Sequence, residues 1–158
     1  MSKILINSKF GGFNFSNKAL LNFLERKGTT NITFHCTACD NATSELIYPE
    51  ITREKYLVQD LRKMEHYVYD AHIRVNGKRF DAAMISRTDP VAIQMVEELG
   101  SEFCSAYNSY VIVEEYDDTL DCVICEYDGC EEIGQKKPRK GTAPGIYTRL
   151  VDEDEWCR

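Results

Sequence analysis

Asn76-Gly77 lies between two stretches of strand-like composition, Tyr67–Val75 (YVYDAHIRV) and 78–85 (KRFDAAMI). A two-residue reversal that follows the twist of its strands needs positive φ at both positions, and Asn followed by Gly reaches that pair of conformations with little strain. The dipeptide therefore predicts an antiparallel hairpin near mid-chain, and with it a sheet. At 158 residues, 43% of them hydrophobic, the chain has the material to bury a core around it.

The flanking segments supply the other elements. Residues 3–7 (KILIN) alternate apolar and polar and predict a first strand, which runs into Phe10-Gly11-Gly12-Phe13. Ser16 then stands as an N-cap before an apolar stripe of Ala19, Leu20, Phe23 and Leu24, and Gly28 is the stop. Residues 31–36 are β-rich, and 40–45 (DNATSE) read as a loop. Residues 51–64 suit either a helix, through Leu57, Leu61 and Met64, or a strand at 56–58. Asp89-Pro90 opens a second helix with Val91, Met95, Val96 and Leu99 on its buried face. Residues 110–114 and Asp121–Tyr127 predict two strands returning through the acidic turn 116–118. The expectation is an α+β single domain with a mainly antiparallel sheet and two to three helices, over residues 1–133. The Gly, Pro and Lys-rich composition beyond predicts an exposed, mobile C-terminal segment over 134–158.

Charge is divided along the chain. Residues 1–87 carry 13 Lys and Arg against 9 Asp and Glu, whereas 88–158 carry 6 against 17, and no base occurs between Asp89 and Glu132. The net −7 argues against direct nucleic-acid binding and against acidic membranes, both of which reward phosphate neutralisation. An acidic surface at Glu114, Glu115, Asp117 and Asp118 is a candidate for binding a host protein, even as a mimic of spaced phosphates; the competing reading is a solvated face. The opposite charge of the two halves also invites self-association into a homo-oligomer. No apolar run approaches the roughly 18–20 residues that span a bilayer, and the start lacks a secretory apolar stretch, so a soluble chain in a reducing cytosol is expected. There the seven cysteines act as small hydrophobes or ligands.

Three patches, INSKFGGFNFS at 6–16, RTDPVAIQMVEELG at 87–100 and YVIVEEYDDTLDCVICEYDG at 110–129, resemble a family of small accessory proteins of tailed bacteriophages and other large DNA viruses. The shared pattern is a strand entering a Gly-Gly-Phe loop and a helix, an Arg-x-Asp-Pro helix, then two strands ending in Glu-Tyr-Asp-Gly. The resemblance implies a phage-encoded protein acting in the host cytoplasm, among genes that modify the host or blunt its defences. It brings no activity with it, and this chain departs from the pattern over 31–85 and in Cys122, Cys125 and Cys130.

Several constellations invite chemistry. Cys36/Cys39 and Cys122/Cys125 form two CxxC pairs; the first stands in an acceptable turn-like context, but the second lies in a predicted strand, where residues three apart face opposite ways, and the span between the pairs is long, so buried thiols outweigh a structural zinc. Gly11, Gly12 and the Ser16-capped helix start suit a phosphate, with Arg87 and Asp89 completing a small anion site. The competing reading is a tight turn with Phe10, Phe13 and Phe15 in the core, a salt bridge from Arg87 to the acidic segment, and Asp89 as a cap. His35, His66 and His72 lack a nucleophile in recognisable context. No catalytic residue, metal site or cofactor is therefore assigned. The function expected is counter-defence or host takeover by sequestering a host protein or a phosphorylated nucleotide signal, with a small nucleotide-processing hydrolase as the alternative.

Overall fold

The computed structural model describes residues 1–39, 46–47, 50–58 and 67–150. Its strands are β1 (Ser2–Asn7), β2 (Ile32–Cys39), β3 (Leu46–Ile47), β4 (Tyr67–Val75), β5 (Lys78–Phe80), β6 (Val111–Tyr116), β7 (Asp121–Tyr127), β8 (Cys130–Lys136) and β9 (Ile146–Leu150). Its helices are α1 (Asn17–Arg26), α2 (Arg53–Tyr56), α3 (Pro90–Leu99) and α4 (Ser101–Cys104). The class is α+β, as the sequence pattern predicts.

The strands form three groups: β1 with β6, a four-stranded sheet in the order β3-β2-β4-β5, and a three-stranded sheet β8-β7-β9. All pairings are antiparallel except β7 with β9. The β1–β6 ladder is the middle layer. Leu5, Val111 and Val113 point into the main core with Leu20, Leu24, Ala92 and Val96 of α1 and α3, while Ile4, Ile6, Ile112 and Tyr116 point the other way, onto Cys122, Ile124 and Ile133. Alternate residues of one strand thus bury both faces, as period-two geometry requires. The four-stranded sheet adds Phe34, Ile73 and Phe80 to the main core.

The central hairpin forms as predicted: Asn76 and Gly77 have φ of 52° and 79°, and Val75 pairs with Lys78. Beyond Phe80, however, the strand expected to reach residue 85 gives way to a turn of 3-10 helix, Ala82–Met84, because Asp81 caps it through Ala83 N–H. In the 51–64 stretch, Thr52 caps the short α2 instead of a strand; Leu61 and Met64 lie outside the described residues, as do the 40–45 loop, His66 and the acidic end at 151–158.

Two expectations fail. Residues 110–114 and Asp121–Tyr127 do not return on each other, since β6 pairs with β1 along its whole length and β7 belongs to another sheet. Nor does the domain stop at residue 133. β8 continues to Lys136, and β9 comes back from the Lys-rich stretch to pair with β7, its entry fixed by Cys122 N–H to Gly145 O at 2.9 Å and Gly145 N–H to Asp121 Oδ1 at 3.0 Å. No helix among the described residues is long and apolar enough to cross a membrane.

Candidate functional site

Arg87 precedes α3 and turns its side chain inward. Its Nη1 and Nη2 donate to Oε1 and Oε2 of Glu131, each at 2.7 Å, in the forked geometry that makes arginine–carboxylate pairs strong. Nη1 also donates to Leu5 O at 3.2 Å, and the guanidinium carbon lies 3.6 Å from the centre of the Phe13 ring. The Glu131 side chain is 2% exposed, and its Oε1 takes a further hydrogen bond from Asn7 N–H at 2.7 Å. One ion pair therefore ties β8, the end of β1, the Gly-Gly loop and the entry to α3.

Asn7, itself fully buried, performs a similar task with its amide. Its Nδ2 donates to Lys9 O at 2.6 Å and Gly129 O at 2.7 Å, and its Oδ1 accepts Tyr110 N–H at 2.8 Å. Three loops meet there: the turn after β1, the 106–110 connection from α4 to β6, and the Asp128-Gly129 turn of the β7–β8 hairpin. They touch backbone to backbone. Gly11 N–H reaches Asp128 O at 3.1 Å; a Cβ on Gly129 would lie 2.1 Å from Gly12 N, and one on Gly11 would lie 2.4 Å from Asn108 O. Glycine is required here by close approach.

This floor accounts for most of the residues offered to an anion. Gly11, Gly12 and Arg87 do come together, but the Gly11 N–H is taken by Asp128 O and both terminal nitrogens of Arg87 are engaged by Glu131. Ser16 Oγ accepts Ala19 N–H at 3.1 Å and donates to Phe103 O at 2.6 Å. Asp89 caps α3 through Val91 N–H at 2.8 Å and Ala92 N–H at 3.3 Å, with Lys27 Nζ 3.0 Å from its other oxygen. The salt-bridge and cap readings hold, and the phosphate site loses its cation. Phe15 is buried as expected, but Phe10 is exposed, its ring edge-on to Tyr127 with centroids 6.4 Å apart.

The acidic candidates remain at the surface. Glu114 and Glu115 are exposed on β6, and Asp118 accepts a hydrogen bond from Ser2 Oγ at 2.5 Å. Asp117 shapes its turn: Oδ1 accepts from Thr119 Oγ1 and N–H, bonds that hold this carboxyl below its ordinary value, while Gln135 clamps its backbone on both sides. Lys3 stands opposite Glu115 in register yet pairs with Glu97 at 2.8 Å.

His35 and His72 are cross-strand partners on β2 and β4, stacked with centroids 5.7 Å apart. Cys36, Cys104 and Cys122 are buried, and burial pushes their thiols up, that of Cys104 to about 11. Cys125 is disulfide-bonded, a correction to the expectation that the cysteines act only as reduced hydrophobes or ligands. Among the described residues no three His, Cys, Asp or Glu side chains converge as metal ligands. No family model, curated protein or solved structure matches the chain.

Asn7, Gly129 and Glu131 are the site residues that sequence reasoning missed. Asp128-Gly129 carries the same signal as Asn76-Gly77, with φ of 50° and 86°, and reading it as a second hairpin would have found β8 and placed Glu131 on it.

Proposed function

We propose that the chain is a non-enzymatic phage accessory protein that sequesters a host protein in the host cytoplasm, in counter-defence or host takeover, through the acidic end of β6. The observation that carries this reading is the exposure of both Glu114 and Glu115, which project from the two faces at the end of β6, with Lys3, the register partner of Glu115, drawn away to Glu97. In a half-chain with 17 acids against 6 bases, such carboxylates steer a basic partner into place and select against acidic ones. The phage assignment rests on the three-patch resemblance, and it gains support from the way Asn7, Gly11, Gly12, Arg87 and Gly129, drawn from all three patches, meet on one floor. Sequestration of a phosphorylated nucleotide has no such support, because Arg87 already holds a carboxylate.

The test is association with host protein across a salt series for the wild type and for Glu114→Lys/Glu115→Lys. The reversal is expected to weaken capture about tenfold and to flatten its salt dependence, since exposed charges act through a field that salt screens. Capture that survives the reversal with its salt dependence intact overturns the reading.

A further inference from the structure

The three loops that meet on the Asn7 floor carry large aromatic side chains outward. Phe10 is 59% exposed, Tyr107 93%, Tyr110 41% and Tyr127 47%. Scattered singly, such residues need no explanation, but these four stand on adjoining loops at one end of the molecule. Their backbones are fixed by hydrogen bonds: Ser8 N–H to Tyr110 O at 3.0 Å, Ala106 N–H to Asn14 O at 3.3 Å, and Ser109 Oγ to Asn14 O at 2.6 Å, besides the Asn7 amide and the Arg87–Glu131 pair. Rigid aromatic side chains on pre-fixed loops are the usual anchors of protein-binding surfaces, because they present area at small entropic cost.

We infer that this aromatic end is the contact that confers specificity, and that its occupant is an arginine-bearing segment of the protein partner. The inference rests on the protein-binding reading and deepens it. Charge selects the occupant: two of the three loops come from the stretch between Asp89 and Glu132, which holds no base, and Glu102 and Asp128 are exposed at this end. Lys9 and Lys18 are the cations nearby, and Lys18 already sits 6.0 Å over the Phe103 ring. Arginine satisfies carboxylates and ring faces together, stacking on an aromatic plane while its edge donates to Asp or Glu; an ammonium does only part of this. The floor shows the same chemistry in miniature, with Arg87 on Phe13 and its fork on Glu131.

The experiment is fluorescence anisotropy with a short labelled peptide of alternating Arg and Gly, and its counterpart carrying Lys for Arg, against wild type, Phe10→Ala/Tyr107→Ala/Tyr110→Ala and Glu114→Lys/Glu115→Lys. The arginine peptide is expected to bind tighter than the lysine peptide. The aromatic variant should lose about tenfold for arginine and little for lysine. Tyr107→Ala alone, at a nearly fully exposed position, should show part of that loss and keeps the test independent of folding. Equal affinity for the two peptides, or an aromatic variant that binds the arginine peptide as wild type does, overturns the inference. Loss confined to the Glu114/Glu115 variant defeats the inference and leaves the acidic end of β6 standing as the contact; loss confined to the aromatic variants does the reverse.

Discussion

Glu131 belongs to a run of twelve acids between residues 97 and 132, and nothing in its own stretch of sequence marks it as one of the two that the fold buries, Asp121 being the other. Only its partner marks it. Arginine in front of a capped helix predicts a salt bridge to the acidic segment, and that much was legible; which acid answers depends on β8, whose hairpin the composition beyond Gly129 disguised. Burial makes the pair consequential. Removing one member leaves the other charged and dry, so Arg87→Ala is expected to destabilise the protein by about 3–5 kcal/mol, read from urea unfolding. Arg87→Lys should recover little, because an ammonium cannot make two parallel bonds. Replacing both members by apolar residues, Arg87→Met with Glu131→Leu, should be far milder than Arg87→Ala. A single alanine variant as stable as wild type would show that the pair is not desolvated.

At the scale of elements, α1 and α3 were readable because their signals are local. Ser16 and Asp89 stand at the cap positions, and Pro90 follows where its missing N–H is harmless. Strand partnership is not local. β6 and β7 are separated by a short acidic turn, yet β6 finds β1 more than a hundred residues away because only that pairing buries Val111 and Val113 on one side and Ile112 and Tyr116 on the other. Asp89 also gives a pH prediction. Burial alone would raise its carboxyl, but the Lys27 ammonium and the Ala92 and Val91 N–H groups outweigh it and hold the group below the ordinary carboxylate range. Its contribution is therefore present above the unfolded value, about 4, and is lost as pH falls through the lower folded one. Asp89→Asn keeps a capping oxygen and loses the charge, so its Tm should lie below wild type at pH 7 and the gap should close below about pH 4.

For the whole molecule, the division of charge along the chain proves partly internal. Lys3–Glu97, Arg26–Glu98, Lys27–Asp89 and Arg87–Glu131 each join a base of the first half to an acid of the second. Opposite halves that invite self-association on paper have thus begun to satisfy each other within one chain, and the acids left over, Glu114 and Glu115 among them, define the outward field. The C-terminal part is likewise inside the fold: ending the chain at Pro144 removes β9 and uncovers one edge of β7. Such a truncation is expected to lower Tm by roughly 5–10 °C in differential scanning calorimetry. An unchanged Tm would restore the boundary to residue 133.

The contact between Gly129 and the Gly11-Gly12 backbone leaves no room for even one added carbon, while the rings a few residues away keep much of their surface exposed. Change is therefore partitioned. Positions 10, 107, 110 and 127 can be randomised together as a recognition library while the floor beneath them is held constant. A lineage pressed to follow a changing target would find its freedom in those same positions.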